Sequence, residues 1–402
     1  MCKRNAKDRR ILILAISPLL ALIACRPAND TSERLDSDQV RSGTVTTPAD
    51  WPMFRGSAGL IGAIEGDFSR RPMPAWTAHF KDAISSQPVI ADGTVYVSSE
   101  RGVVGAFDLE TGEEKWRFGG SFGFTATPLV HRDRLYLGDI DGIFYALDTA
   151  TGEPVWTFQV DDKIEGAANL ARVDAGTTDE RELVVFGSYD SHLYALDAMT
   201  GEEVWRYQTE NYINGSPALS DEGQIAFGGC DSFVHVVEAR SGQSIRRLEG
   251  LTYIPGSVPV DQGMAYPGNH EGQLLALPLD GAPPHWTFSK PDKPFTAASA
   301  ITEHTVYAAN QNGRIYALDR KTGELRWQYT GESSFDASPV VVGDTVIAIS
   351  YGGMVYALRA ETGEPQWQYD LGGRVSGSPA IAGQHLLVGD DSGLLTVLAF
   401  DQ

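Results

Sequence analysis

An eleven-residue phrase returns through the chain, and no other feature constrains the fold as tightly. It reads AFDLETGEEKW at 106–116, ALDTATGEPVW at 146–156, ALDAMTGEEVW at 195–205, ALDRKTGELRW at 317–327 and ALRAETGEPQW at 357–367. Two looser copies, VVEARSGQSIR at 236–246 and ALPLDGAPPHW at 276–286, fill the interval. The turn glycines are Gly112, Gly152, Gly201, Gly242, Gly281, Gly323 and Gly363, in steps of 40, 49, 41, 39, 42 and 40 residues. A period near 40 residues without sustained helical periodicity fits one four-stranded propeller blade per repeat.

The segments inside each repeat support an all-β reading. In the second, ATPLVH, RLYLGD, IFYALD and PVWTF follow one another, with the period-two alternation of strands. Small residues open the first strands: Ser86, Thr127, Ala168, Ser216, Ser257, Ser299, Ser338 and Ser378. Innermost strands converge on the axis, where large side chains would collide, so packing alone accounts for that bias. Eight openings predict an eight-bladed β-propeller; one mis-segmented repeat would make it seven. The last repeat, SPAIAGQHLLVGDDSGLLTVLAF, stops after three strands. PAWTAHF at 74–80 is expected to complete it, so that an N-terminal strand closes the ring and removes the exposed edge.

The phrase Ala-x-Asp-x-x-Thr-Gly-x-x-x-Trp has a physical reading. The Ala leaves room for a ring, and the Asp and Thr bond the backbone of a tight connection. The Gly supplies positive φ. The Trp buries its ring between blades while its indole N–H finds a carbonyl. The two looser copies predict the two weakest seams.

The ends and the composition bound location and chemistry. Lys3, Arg4, Lys7, Arg9 and Arg10 precede an apolar run from Ile11 to Ile23, the form of a signal peptide over 1–24. Leu22-Ile23-Ala24-Cys25 resembles a bacterial lipobox, which makes Cys25 the expected lipid attachment site; the alternative is an ordinary secretory signal. Two or three acyl chains would anchor the chain stably to a membrane. Arg26 after the cysteine, by resemblance to Gram-negative lipoprotein sorting, directs it to the outer membrane facing the periplasm. Residues 25–50 are almost devoid of apolar side chains and read as a flexible tether, leaving 51–402 as the propeller. The chain carries −21; removing 1–24 takes away five cations and Asp8, giving −25. That balance excludes nucleic acid as a partner. Once Cys2 leaves with the signal and Cys25 is lipidated, Cys230 stands alone, so no internal disulfide forms. It reads as a small buried filler rather than a redox thiol.

The repeat, together with DWPMFRGSAGLIG at 50–62, resembles the pyrroloquinoline-quinone (PQQ)-like propellers over nearly the whole mature chain. The resemblance implies that Trp76, Trp116, Trp156, Trp205, Trp286, Trp327 and Trp367 dock on the next blade's motif at the circumference. It also implies two branches. Quinoprotein dehydrogenases stack PQQ between a Trp and an adjacent-cysteine disulfide, hold Ca²⁺, and use an Asp base. BamB-like lipoproteins of outer-membrane assembly are non-catalytic scaffolds. This chain has no adjacent cysteines, and its ring tryptophans are all assigned to seams. The expectation is a lipid-anchored scaffold that binds envelope proteins, with no enzyme activity, cofactor, metal or catalytic residue. The alternative is a PQQ-dependent oxidoreductase of the alcohol or sugar dehydrogenase type. Nothing in the sequence points specifically to carbohydrate binding or signalling.

DIDG at 139–142, NHEG at 269–272, NQNG at 310–313 and DDSG at 390–393 read as hairpin turns rather than calcium loops. On the same face, Phe122, Phe124, Tyr212, Tyr253, Phe295 and Phe335 beside Asp336 fall in linkers between blades. They are read either as a partner-binding surface or as plugs of their own blade tops. The insertion at 172–182 is a second candidate surface on the opposite face.

Overall fold

Residues whose side chains alternate between two buried faces form strands throughout. In the second repeat, Leu129–His131, Arg134–Gly138, Ile143–Asp148 and Pro154–Gln159 pair antiparallel in sequence order. The computed structural model describes residues 50–290 and 293–400. The signal segment, Cys25 and the tether up to residue 49 lie outside the described residues. Among the described residues there are eight such sheets, one of them with an added fifth strand, Ala63–Ile64, which decides eight blades over seven. In the eighth, Ala380–Ala382, His385–Gly389 and Leu394–Ala399 are completed by Met73–His79, with Trp76 opposite Val397. The ring is therefore closed by strands from both ends of the described chain.

The core is divided among the seams. Most buried apolar groups span two neighbouring blades, such as Leu129, Phe144 and Ala146 of blade 2 with Val184, Phe186 and Leu196 of blade 3. One larger group joins blades 7, 8 and 1 with Trp51 and Phe68. Along the circumference, indole N–H groups donate across seams: Trp76 to Leu109 O (2.7 Å), Trp116 to Thr149 O (2.8 Å), Trp205 to Ala239 O (3.0 Å), Trp286 to Arg320 O (2.9 Å) and Trp327 to Ala360 O (2.9 Å). The motif alanine stands directly across from the tryptophan, as Ala317 does from Trp327. The next blade's glycine meets the ring: a Cβ on Gly363, at φ 73°, would lie 2.6 Å from Trp327 Cε3. Only glycine fits both the turn and that approach.

Two exceptions are informative. The irregular copies at 236–246 and 276–286 meet at one seam, blade 4 against blade 5. There Arg246 stands opposite Val236 in the tryptophan's place and lies over Gly281. Trp286, from the second copy, docks regularly on Gly323. The eighth blade has no Thr-Gly turn, and Phe68 substitutes: its carbonyl accepts the Trp367 indole N–H at 2.8 Å and its ring stacks on Phe400 at 3.8 Å.

Residues 51–64 lace the inside of the ring. Trp51 exchanges two backbone bonds with Ile90 (2.8 and 2.9 Å). The amides of Val130, Leu219, Val260, Ile301 and Val341 then donate to Pro52, Ala58, Gly59, Ile61 and Gly62 in turn. Asn169 Nδ2 reaches Ala58 O, so blades 1 to 7 are all touched before the chain enters blade 8. At the centre, Arg55 is fully buried in left-handed backbone (φ 63°) and donates to Pro339 O and Ser299 O. Burial pushes its guanidinium down, to about 9.

The blade-opening hydroxyls do more than save space. Thr127, Ser216, Ser257, Ser338 and Ser378 each accept the backbone N–H of the preceding blade's Gln87, Ala167, Ser216, Ala298 and Ser338, at 2.9–3.0 Å.

The motif aspartates make the turns acid-sensitive. Asp319 accepts the Arg326 side chain and the amides of Thr322 and Lys321, which hold its carboxyl down to about 2. Asp108 and Asp148 are also lowered, first by the Thr111 and Thr151 amides. A depressed folded-state value contributes stability above the ordinary carboxylate range and loses it as pH falls. The melting midpoint is expected to drop as pH is taken from about 4 to 2, measured by circular dichroism, and Asp319→Asn should flatten that dependence.

Candidate functional site

The linker that leads into the first strand of every blade reaches the axis. Ser85, Thr125, Glu165, Asn214, Pro255, Thr296, Asp336 and Ser376 form one ring there, a residue from each blade, around a cavity of about 200 Å³. Phe54 of the lace also lines it. The lace bonds lie further along the same segments, at Ile90, Val130, Leu219, Val260, Ile301 and Val341, and the Arg55 amide donates to Gln87 of the cavity lining. The axial space is thus a funnel floored by the N-terminal segment.

Two carboxylates on the ring are engaged. Glu165 accepts Lys163 Nζ at 2.6 Å and the Tyr189 hydroxyl at 2.5 Å. Asp336 accepts Gln311 Nε2 (3.0 Å) and Ser334 Oγ (3.3 Å). Lys163 Nζ also sits 4.0 Å over the Tyr189 ring, and Tyr189 stacks on Tyr212 at 5.0 Å. By contrast, Ser85 Oγ, Thr125 Oγ1, Asn214 Oδ1 and Thr296 Oγ1 are enclosed and have no protein partner.

These linings do not fit PQQ. The cavity is smaller than the ~300 Å³ at which small-molecule sites usually begin. Of the ring tryptophans, six place the indole N–H on a carbonyl across a seam, and Trp156 lies on Gly201 at the seventh. Trp51 is buried against Gly56 and bonded to Gln87, so it offers no open stacking face. The hairpin oxygens suggested for calcium are turn acceptors. Asp139 Oδ1 takes the amides of Asp141 and Ile143, and Asp390 Oδ1 those of Ser392 and Leu394. Asn269 Oδ1 takes the Gln273 amide and Asn310 Oδ1 that of Asn312. A hydroxyl–histidine–carboxylate chain, Tyr207–His235–Asp231 (3.0 and 2.8 Å), crosses the seam from Tyr207 of blade 3 to blade 4, where the buried His235 stands at the position of Tyr145, Tyr194, Tyr316 and Tyr356 in other repeats.

The linker aromatics divide. Phe124, Phe295 and Phe335 are buried, against Tyr145, Tyr316 and Tyr356, and cannot bind a partner. Their reading as surface residues is corrected: the chain turns inward at that register to plug each blade. Tyr212 and Tyr253 are 45% and 37% exposed. Phe122, Ile140 and Leu251, two of which the sequence reading left out, are exposed on the same face. There the amides of Ile140, Cys230 and His270 bond Gly123, Tyr212 and Tyr253. On the other face, the 172–182 insertion extends the ends of two paired strands, Asn169–Val173 and Arg181–Gly187, and joins them by a turn over residues 174–180. The remaining turn is held by Thr177 Oγ1 on Asp174 O (2.7 Å) and by Arg240 on Asp174 (3.2 Å). Cys230 is half-buried, and burial followed by the neighbouring Asp231 raises its thiol, the opposite of a reactive thiolate.

A family model described as outer membrane protein assembly factor BamB matches residues 73–281, 231–334 and 284–402. No curated protein matches the sequence. Among solved structures, BamB from Moraxella catarrhalis is 19% identical, with a TM-score of 0.68 over 83% of this chain and 99% of that one. The quinohemoprotein alcohol dehydrogenase from Comamonas testosteroni is 16% identical, at 0.71 over 91% and 82%. A europium-containing methanol dehydrogenase is 13% identical, at 0.73 over 88% and 98%. At these identities both kinds of neighbour share the fold, and the family is carried by the repeat match. The chain belongs to the outer membrane protein assembly factor BamB family of PQQ-like repeat propellers.

Proposed function

We propose that the protein is a non-catalytic scaffold, lipid-anchored through Cys25 at the outer membrane and facing the periplasm. It holds another envelope protein there during outer-membrane protein assembly. The observation that carries this reading is the arc of exposed apolar side chains, Phe122, Ile140, Tyr212, Leu251 and Tyr253, on one face of a rigid ring. Aromatic and aliphatic anchors of this kind dominate protein interfaces. The family match supports the assembly role. The axial lining, which does not fit PQQ, supports a scaffold over an oxidoreductase.

Substituting Phe122, Ile140 and Leu251 together with Ser tests it. In cells depleted of the native protein, this variant should leave β-barrel proteins low in the outer membrane, whereas the unaltered chain restores them. Its melting midpoint should be unchanged. Full restoration by the variant would sink the docking arc. Adding PQQ with Ca²⁺ to the chain from Trp51 onward tests the alternative. Cofactor absorbance together with dye-linked alcohol oxidation would replace the scaffold by a dehydrogenase.

A further inference from the structure

We propose that the face opposite the docking arc holds a strand-edge slot for an extended, basic segment of a partner protein. In each blade the connections between first and second strands, and between third and fourth, lie at one end, and the linkers with the arc lie at the other. At the first end the lace runs out as the strand Ala63–Ile64, which pairs parallel with Val341 and Val342 of blade 7 and forms the edge of its sheet. Gly62 O and Ile64 O accept the amides of Val341 and Gly343, both at 2.9 Å. Successive residues of a strand aim their backbone groups at opposite edges, so Ala63 and Glu65 aim theirs the other way, toward blade 6. Ile61 shares that direction, and its carbonyl accepts the Ile301 amide at 2.9 Å. Beyond that bond the pairing stops. Among the described residues, the amides of Ala63, Glu65 and Glu303 and the carbonyls of Ala63 and Glu65 enter no backbone bond.

Open space borders this edge. A cavity of about 790 Å³ is lined by Ala63 and Glu65 of the N-terminal segment, by Thr302, Glu303 and Lys321 of blade 6 and by Asp344 of blade 7. An unpaired edge beside open space is a template for a further strand. In such an addition the main-chain bonds give affinity and the alternate side chains give specificity. Proline and lysine are the usual guards of an edge, and neither stands in Ile61-Gly62-Ala63-Ile64-Glu65.

Charge selects the occupant. Arg320, on the same wall, is committed to Asp261 at 2.7 Å and to the Tyr266 hydroxyl at 2.9 Å. The exposed carboxylates of Glu65, Glu303 and Asp344 then stand against the ammonium of Lys321, with His304 3.8 Å from Glu303. A strand bearing lysine or arginine complements that lining. The chain's own tether does not, since residues 26–49 set Arg26, Arg34 and Arg41 against Asp30, Glu33, Asp36 and Asp38. A second copy, in a chain of net charge −21, is disfavoured in the same way. This assignment is independent of the scaffold reading: the slot uses none of the arc's residues and lies on the opposite face.

Fluorescence anisotropy of the mature chain with two dye-labelled, end-blocked peptides, KVTVKV and EVTVEV, tests it. KVTVKV should bind saturably and about ten-fold tighter than EVTVEV. N-methylation of alternate amides removes the donors of one peptide edge, and in at least one of the two registers it should weaken KVTVKV about ten-fold, the worth of one or two backbone bonds. Ala63→Pro removes an edge donor that has no partner in the fold and should weaken binding by about the same factor. So should Glu65→Gln, Glu303→Gln and Asp344→Asn combined, all exposed, with the melting midpoint retained. The variant with Phe122, Ile140 and Leu251 replaced by Ser should bind KVTVKV like the unaltered chain, so that loss of the arc and loss of the slot are read separately. The assignment is overturned if KVTVKV does not bind at millimolar concentration, if EVTVEV binds as tightly, if both N-methylated peptides bind undiminished, or if the combined charge variant does. Binding only after residues 25–50 are removed would give the slot to the tether, and a dimer of the unaltered chain that Ala63→Pro dissolves would give it to a second copy; either result overturns it.

Discussion

Trp327→Ala is expected to cost about 3–5 kcal/mol, the range for emptying a buried aromatic site. The ring of Trp327 is buried between blades 6 and 7, its N–H is on Ala360 O, and it lies on Gly363 and 5.8 Å from Tyr307. Backbone on both sides is fixed by strand pairing, so the void cannot collapse. The Ala360 carbonyl keeps the Tyr307 hydroxyl at 3.0 Å, which holds the loss within that range. With unfolding entropy near 2 cal/mol/K per residue, the melting midpoint should fall roughly 4–7 °C. Trp156→Ala should lose less. Trp156 is half-buried and its N–H has no acceptor, while Ala198 O is taken by the Tyr136 hydroxyl at 2.9 Å. Equal midpoints for the unaltered chain and Trp327→Ala, in calorimetry or urea denaturation, would remove the tryptophans from the account of ring stability.

The seams were legible because their chemistry is local. The aspartate, threonine, glycine and tryptophan lie within eleven residues, and one hairpin brings them together. The misread aromatics show what locality hides. Phe124, Phe295 and Phe335 sit in linkers, where exposure is the usual expectation. Aligned across the eight repeats, their register holds Ile84, Phe124, Ile164, Ile213, Ile254, Phe295, Phe335 and Val375, all buried. An apolar residue in every copy is a core signature. The register two residues after Tyr212 and Tyr253 is mixed and mostly polar, and it became the funnel ring. The lace was not legible at all. Its backbone bonds join positions up to 279 residues apart (62 to 341), and it has no strand periodicity to betray it. The only local signal was an arginine inside DWPMFRGSAGLIG, and Arg55 owes its burial to carbonyls supplied by blades 6 and 7. The Arg246 replacement likewise made sense only once Gly281 was known to face it.

Phe68→Ala should be nearly as damaging as Trp327→Ala, about 3–5 kcal/mol, although Phe68 lies in no strand and no repeat. The eighth blade ends without the turn on which a tryptophan docks, so Trp367 would face an unfilled seam. Phe68 fills it from the other end of the chain, fully buried, 299 residues from the indole that its carbonyl accepts. Its ring lies 18° from coplanar with Phe400, which in turn packs at 5.7 Å on Trp367. Removing the side chain opens the joint between blades 7 and 8, where the ring depends on pieces from both termini. Phe400→Ala removes the other half of the stack, so the two substitutions should not add. A double-mutant cycle in urea is expected to return a coupling of about 0.5–1.5 kcal/mol, the value of an aromatic pair beyond its buried area. Paired with Trp116→Ala, at the seam between blades 1 and 2, Phe68→Ala should instead be additive within about 0.5 kcal/mol. Additivity with Phe400→Ala would mean that the joint is held by Met73–His79 alone, and that Phe68 only occupies space beside it.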